Sequence, residues 1–591
     1  MVTIAPPEPE AATPAPAREV RRRITPFAAI ATVVATAFAL LATYPILRVA
    51  LGLFVVDGSP TLGPIRDVFA VPDLGTLVLN TLIAVVVSGV LALIVGSGLA
   101  WLNERTDARL AGITDSMPLI PFLLPPIAGA VGWVLLLSSN AGLLNAFIRW
   151  VVGGVGIELA DGPFNIFSWP GLIFVYTLYQ VPYVFMLVTG GLRSADASLD
   201  EQSRISGASR WTTLRRITFP AIRPSIGGAI LLMGWQGFSL YSVPVIIGSG
   251  AGIDVLSVRI VDLLSFTYPP ETATAVGLSF IVLVFVGVMW YFQSRLLRSG
   301  RHATMGGKGQ RFTRQELGRW KWPARLVILG YGFLAVVLPA VGLLLVSFNG
   351  YWTPKIKWAG LSLDSLRESV FESTQTLTAV QNSLWIGVTG ATIGMIAAAL
   401  IALLVVRSRN RAVRVLDGAI KLPSVFSHLV IAVGFILAFG GPPFYLGGTT
   451  VILLLAYISI YLPQGSVAAD SAASQVGSDL AEASQINGAG GGKTFRRVYL
   501  PLMVPGLVAG WAFLFARMVG DLTATAVLAG TSNMVVGFRI LQIYENGSYA
   551  ELASLSVVLT AITALVVGLS LVYSRWQGRW QGNSRRPRRA R

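Results

Sequence analysis

The chain has 591 residues, 54% of them hydrophobic and 12% charged, with a mean hydropathy of +0.68. That is more apolar surface than one water-soluble core can hide, which excludes a soluble globular enzyme and points to a membrane protein. The absence of cysteine excludes disulfides, thiolate metal sites and cysteine nucleophiles, whereas the formal charge of +17 leaves a nucleic-acid partner open until the charges are placed.

Residues 1–25, "MVTIAPPEPEAATPAPAREVRRRIT", are Pro/Ala-rich and then basic. They lack the short apolar core and small-residue cleavage site of a signal peptide and read as an uncleaved, disordered tail. After them, apolar runs of the ~20 residues needed to cross the hydrocarbon core recur along the chain. Twelve spans are expected, near 26–56, 76–102, 116–138, 168–192, 224–248, 273–296, 324–348, 377–406, 420–439, 449–470, 504–530 and 553–574. The amphipathic stretch 142–157 is a candidate for an extra helix lying on or partly in the membrane. Twelve spans put both termini and every second loop on one side, and 36 of the 45 Lys and Arg fall there, counting Arg295, Arg325 and Lys421 at the adjoining span ends. Basic residues stay on the cytoplasmic side of short loops, so both termini are expected inside. The charge then reports orientation, and no nucleic-acid partner is expected.

Internal repetition is the strongest signal. An offset of 281 lays "SLDEQSRISGASRWTTLRRITFPAIRP" (198–224) over "DLAEASQINGAGGGKTFRRVYLPLMVP" (479–505), with 11 of 27 positions identical. The same offset pairs Tyr176 with Tyr457 and Pro182 with Pro463, while "NTLIAVV" at Asn80 matches "NSLWIGV" at Asn382 at an offset of 302. Two homologous six-helix units are therefore expected, joined by a basic linker.

The run N-G-A-G-G-G-K-T from Asn487 differs from the phosphate-binding loop G-x-x-x-x-G-K-[ST] at one position. The first copy has "SRWTT" in place of "GGGKT", and the run follows a membrane span rather than a strand of an α/β domain. It reads as a flexible basic turn, without nucleotide. What persists in both copies is Glu201, Gly207, Arg215, Arg216, Ile217 and Pro220, matched by Glu482, Gly488, Arg496, Arg497, Val498 and Pro501. The spacing resembles the E-A-A-x-x-x-G-x₉-I-x-L-P loop of bacterial ABC-importer permeases. Gln202 and Ser203 replace the two alanines in the first copy, and the second reads Glu-Ala-Ser. A short helix ending at Gly207, where positive φ is cheap, followed by a second running to Pro220, gives a helix-turn-helix on the cytoplasmic face. The paired arginines suit lipid headgroups or an acidic rim on a partner. "SLYSVPVIIGSGAGIDVLSVRIVDLLSFTYPP" (239–270) and "FARMVGDLTATAVLAGTSNMVVGFRILQIYENGSYAELA" (515–553) are similar to parts of fused two-domain permeases of the ferric-iron type, a group that also resembles thiamine, polyamine and phosphonate permeases.

The resemblance implies an all-α integral membrane protein of the type I ABC-importer permease fold. It implies a tail at 1–25, a first permease unit at 26–296 with its EAA loop at 198–220, a linker at 297–323, a second unit at 324–574 with its EAA loop at 479–501, and a basic tail at 575–591. It further implies a transport subunit rather than an enzyme, in the bacterial inner membrane among lipids. Two copies of an ABC ATPase would carry ATP and Mg, this chain binding no cofactor, and an extracytoplasmic binding protein would deliver the cargo. Ferric iron is the cargo the resemblance favours, with thiamine, a polyamine, a phosphonate or a phosphorylated small molecule as alternatives. An ATP-independent carrier or a membrane enzyme are the competing classes.

Ionisable groups inside a membrane are costly and often functional. Arg517 and Asp521, four apart on the eleventh span, are expected to be able to pair on one helical face. With His428, Gln180 and Gln236, which aligns with Arg517 at the offset of 281, they are the candidate pathway residues, each also readable as a structural polar residue bonded to a neighbouring helix. Prolines in "PLIPFLLPPIAG" (118–129), Pro182 and Pro463 are expected to kink helices. No metal-ligand cluster is evident.

Overall fold

The computed structural model describes residues 26–583 other than 57, 111, 196–201, 204, 300–313, 408–409, 475–482, 485 and 487–490. Glu201, Glu482, Gly488, the N-terminal tail and the middle of the linker lie outside the described residues.

Nine helices among the described residues are long and apolar enough to cross a membrane, and four further helix pairs qualify as spans bent by 69° to 107° at short breaks. A helix satisfies its own backbone groups where lipid offers no partners, and the outer faces are apolar, as at Ile30, Val33, Leu40 and Leu47 of the first helix, Pro26–Gly52. The expected spans 116–138 and 420–439 are two of the bent pairs: Met117–Leu123 with Pro126–Leu137 (99°), and Arg411–Val425 with His428–Gly440 (107°). Pro125, which cannot continue the ladder, breaks the first. The Ser427 hydroxyl, accepting the Leu429 N–H at 3.3 Å, starts a new helix in the second. Pro182 and Pro463, expected to kink, sit inside continuous helices, Trp169–Ser194 and Thr450–Ser474. The amphipathic stretch forms a helix, Leu143–Gly153, with Phe147 and Trp150 exposed.

Two expected spans end earlier than composition suggests. The helix Arg223–Ser239 stops before Pro244–Gly248, which belongs to a bent pair running to Phe266. Likewise Leu500–Val519 ends at Gly520, and a short helix, Thr523–Leu528, follows.

Each half is built on three mutually packed helices, Leu74–Arg105, Trp169–Ser194 and Arg223–Ser239 in the first, and Thr374–Arg407, Thr450–Ser474 and Leu500–Val519 in the second. The repeated Asn motif has the same job in both. Asn80 Nδ2 donates to the Asp254 carbonyl at 3.0 Å while Thr81 Oγ1 accepts the Leu256 N–H at 2.9 Å. Asn382 Nδ2 donates to the Met534 carbonyl at 2.8 Å while Ser383 Oγ accepts the Val536 N–H at 2.8 Å. Each pair fastens the start of the helix that follows, Leu256–Val261 or Val536–Glu545.

The leading helix of each half crosses to the other. Pro26–Gly52 packs on Arg411–Lys421 and His428–Phe435, and Leu338–Asn349 packs on Pro126–Leu137. Both crossings use a glycine: a Cβ on Gly132 would lie 2.6 Å from the Pro339 carbonyl oxygen, and one on Gly434 would lie 2.6 Å from that of Pro45. Small residues allow such close backbone approach in membranes. Gly434→Leu is therefore expected to cost about 1–3 kcal/mol through overpacking, read as a lower thermal unfolding midpoint in detergent. Gly190→Leu, where nothing lies within 4 Å, should leave the midpoint unchanged.

The described end of the linker is docked, not free. Asp107 Oδ1 accepts the Leu317 N–H at 3.0 Å, and Lys321 pairs with Asp107 at 3.2 Å. Beside it, Asp115 accepts Arg109 Nη2 at 2.6 Å and Asn103 Nδ2 at 2.8 Å. Burial works to raise the Asp115 carboxyl, but these bonds outweigh it and hold it at about 2.

Candidate functional site

Three pairs of equivalent elements converge where the halves meet. The helices Pro126–Leu137 and His428–Phe435 present their first residues, Trp169–Ser194 and Thr450–Ser474 present Gln180 and Tyr461, and Arg223–Ser239 and Leu500–Val519 present Gln236 and Arg517. Two adjacent narrow cavities lie between them, and all five pathway candidates line one or both. Gln180 faces the first, His428 and Asp521 the second, and Gln236 and Arg517 form part of the wall common to both.

Asp521 is the most heavily bonded of the five. Tyr461 Oη donates to its Oδ2 at 2.6 Å, and its Oδ1 accepts the Ala524 and Thr525 N–H groups at 2.8 and 3.4 Å. Its backbone carbonyl accepts the Thr525 hydroxyl at 2.7 Å, and that hydroxyl also contacts Tyr457 Oη. His428 is buried with Nδ1 3.9 Å from Asp521 Oδ2, its ring held edge-on between Trp235 and Tyr461, each 5.3 Å away centroid to centroid. Among the described residues its Nε2 has no hydrogen-bond partner, nor have Gln180 Oε1, Gln236 Oε1 and Arg517 Nε. Gln180 is fixed at its other end, donating to Ser88 Oγ at 2.9 Å. Partly buried Arg517 lies 5.9 Å from the centre of the Tyr461 ring, a cation–π contact.

The expected pairing of Arg517 with Asp521 does not occur. Four residues apart they would share a face only on an unbroken helix, and the helix ends at Val519, so Asp521 turns to cap Thr523–Leu528 instead. Sequence reasoning also missed Tyr461. The offset that pairs Gln236 with Arg517 pairs Gln180 with Tyr461 and Leu240 with Asp521. These positions are thus asymmetric: the first half contributes two amides, with the Tyr179 and Tyr183 side chains beside them in the first cavity, and the second contributes the imidazole, the Tyr461 phenol, the guanidinium and the carboxylate. Among the described residues no group of three His, Cys, Asp or Glu is placed to hold a metal ion. The arrangement offers donors and acceptors without hydrogen-bond partners among the described residues, facing two narrow cavities between the halves, which suits brief contact with a small solute.

The two repeated loops lie at the ends of this core. Gly207 has φ 80°, the left-handed turn expected of it, between a helical turn at Gln202, Ser203 and Ile205 and the helix Arg210–Thr213. Arg215, Arg216, Arg496 and Arg497 are exposed, and Pro220 and Pro501 stand at the entry to the following helices. Ile205 and Ile486, equivalent at the offset of 281, are each 86% exposed. In the phosphate-loop-like run, Thr494 is fully buried, with its hydroxyl against Ser484, so it is not presented to a nucleotide.

Residues 88–297 and 390–581 match the family described as binding-protein-dependent transport system inner membrane component. The chain is similar to the ferric transport system permease protein FbpB of Actinobacillus pleuropneumoniae, 24% identical over 81% of this chain and 68% of that protein. It is also similar to the molybdenum transport system permease protein ModB of Mycobacterium tuberculosis, 29% identical over 43% of this chain and 94% of that protein. Among solved structures, a bacterial alginate ABC transporter in complex with an alginate pentasaccharide-bound periplasmic protein matches 43% of this chain and 94% of its own, at 18% identity and a TM-score of 0.35.

Proposed function

Because the chain belongs to the binding-protein-dependent inner-membrane-component family, and is thus a multi-pass permease subunit of an ABC importer and not its ATPase, we propose that its cargo is ferric iron. The observation that carries the cargo reading is the donor set at the second cavity: Tyr461 Oη and Asp521 Oδ2 2.6 Å apart with the His428 imidazole beside them. Oxygen and imidazole donors suit a hard, highly charged iron ion, and the likeness to ferric permeases over 81% of the chain points the same way. Arg517 favours a second reading. A guanidinium facing the cavity without a hydrogen bond is suited to an oxyanion, and the molybdenum permease is a relative.

In this reading both termini and the two EAA loops are cytoplasmic, and the permease units span 26–296 and 324–574. Two copies of a separate ATPase, holding ATP and Mg, dock on the loops, with Ile205 and Ile486 as apolar anchors and the paired arginines at their rim. ATP binding closes the ATPase pair, draws the loops together and turns the cavity outward to an extracytoplasmic binding protein; hydrolysis resets it. Uptake into proteoliposomes holding the full complex separates the cargoes. The proposal expects radioactive iron, supplied on the binding protein, to accumulate with ATP and not with a non-hydrolysable analogue. ATP-driven uptake of molybdate or a phosphonate in place of iron would overturn it in favour of the oxyanion reading.

A further inference from the structure

Both EAA loops contain a hydroxyl pair, buried in the first copy and partly buried in the second, that the transport cycle above does not use. Ser203 Oγ and Thr213 Oγ1 lie 2.8 Å apart, and Ser484 Oγ and Thr494 Oγ1 lie 3.1 Å apart, so one contact recurs at the offset of 281. Thr213 and Thr494 are 2% and 0% exposed, on loops whose neighbouring arginines are open to solvent. Around Gly207 the backbone closes the same corner: the Ser203 carbonyl accepts the Ala208 N–H at 3.1 Å, and the Thr213 hydroxyl also reaches the Ser209 carbonyl at 3.2 Å. The two arms of the elbow are thereby joined at a single enclosed point.

Serine stands in both copies at the last position of the E-A-A triplet, and threonine follows ten residues later in both. Between them the copies diverge, "RISGASRWT" against "QINGAGGGK", sharing only the isoleucine and Gly-Ala. Losing either hydroxyl removes this contact between the two arms, and in the first copy loss of the Ser203 hydroxyl leaves that of Thr213 with the Ser209 carbonyl on its own arm. The exposed isoleucine of each loop sits two residues after the serine, on the same arm.

We propose that Ser203–Thr213 and Ser484–Thr494 are positioning pairs that fix the elbow at the angle at which Ile205 and Ile486 meet the ATPase. The proposal rests on the reading of these segments as ATPase-docking loops. Arms this short have little stability of their own. If the pair is lost, the elbow must be ordered during docking, and that ordering cost weakens binding.

The test uses the full-length permease in nanodiscs and three readouts: affinity for the ATPase, ATP hydrolysis stimulated by loaded binding protein, and thermal midpoint. Ser203→Ala with Ser484→Ala, and separately Thr213→Val with Thr494→Val, should weaken ATPase binding by about two- to tenfold, the equivalent of one net hydrogen bond, with the midpoint unchanged. Exchanging the partners, Ser203→Thr with Thr213→Ser and Ser484→Thr with Thr494→Ser, keeps both hydroxyls and should restore affinity and stimulation. Wild-type affinity in the Ala and Val variants, or failure of the exchange to restore it, overturns the proposal. Gly207→Asp with Gly488→Asp tells the two readings apart. If it abolishes ATPase binding while the Ala and Val variants bind normally, only the positioning role falls; if it leaves binding intact, the docking-loop reading falls and takes the proposal with it.

Discussion

Asp521→Ala is expected to abolish uptake and to lower the unfolding midpoint by several degrees. The substitution removes an acceptor serving three donors at once, the Ala524 and Thr525 N–H groups and the Tyr461 hydroxyl, all within a buried site. A buried donor left unsatisfied costs about 1–3 kcal/mol. Losing the cap also frees the start of Thr523–Leu528, a short helix whose Thr523 hydroxyl reaches across to the Ser239 carbonyl of the other half at 3.3 Å. Asp521→Asn keeps one oxygen for the backbone amides and should lose less stability. A wild-type midpoint in the alanine variant would mean that the carboxylate does not hold this corner.

Arg517→Met should behave in the opposite way, cutting uptake by about tenfold or more, a transition-state loss of ~1.4 kcal/mol or greater, while the midpoint stays level or rises. Arg517 makes no hydrogen bond or ion pair among the described residues beyond its contact with the Tyr461 ring. A charge held in a narrow cavity between halves has given up hydration without a partner in return, and replacing such a group by an apolar one of similar length is commonly neutral or stabilising. Under the proposed transport cycle, its position in the wall common to both cavities puts it beside the passing solute. Thermal unfolding and ATP-driven uptake measured on one preparation check both halves of the expectation. Normal uptake would remove Arg517 from the pathway, and a lowered midpoint would assign it to packing.

The contrast between these residues shows what the sequence could convey. Hydropathy marks runs long enough to span a membrane, and the repeat supplies an offset that pairs Gln236 with Arg517, both of which line the two cavities. It cannot show that Gly520 ends a helix inside an unbroken apolar run, so Asp521 reads as a helical neighbour of Arg517 when it is a cap for the next element. Tyr461 is hidden for a related reason: an aromatic in "YISIYLPQ" looks like packing until its hydroxyl is found on a carboxylate. The sharp bends at Pro125 and Ser427 depend on local caps that a window average smooths over. The exchange of leading helices, with Gly132 against Pro339 and Gly434 against Pro45, is invisible because hydropathy names no partner. The repeated loops are the reverse case. Their spacing is plain in the sequence, and the turn at Gly207 follows from residue type alone.

The most direct measurement is ATP hydrolysis by the complete complex reconstituted in lipid, with and without loaded binding protein, comparing the wild type with Ile205→Asp plus Ile486→Asp. The account predicts hydrolysis stimulated by the loaded binding protein in the wild type, and loss of both ATPase recruitment and stimulation when charge replaces the two exposed isoleucines, with the permease still folded. Full stimulation in the double variant would contradict docking through these loops, and a wild type that recruits no ATPase would contradict the ATP-driven importer itself.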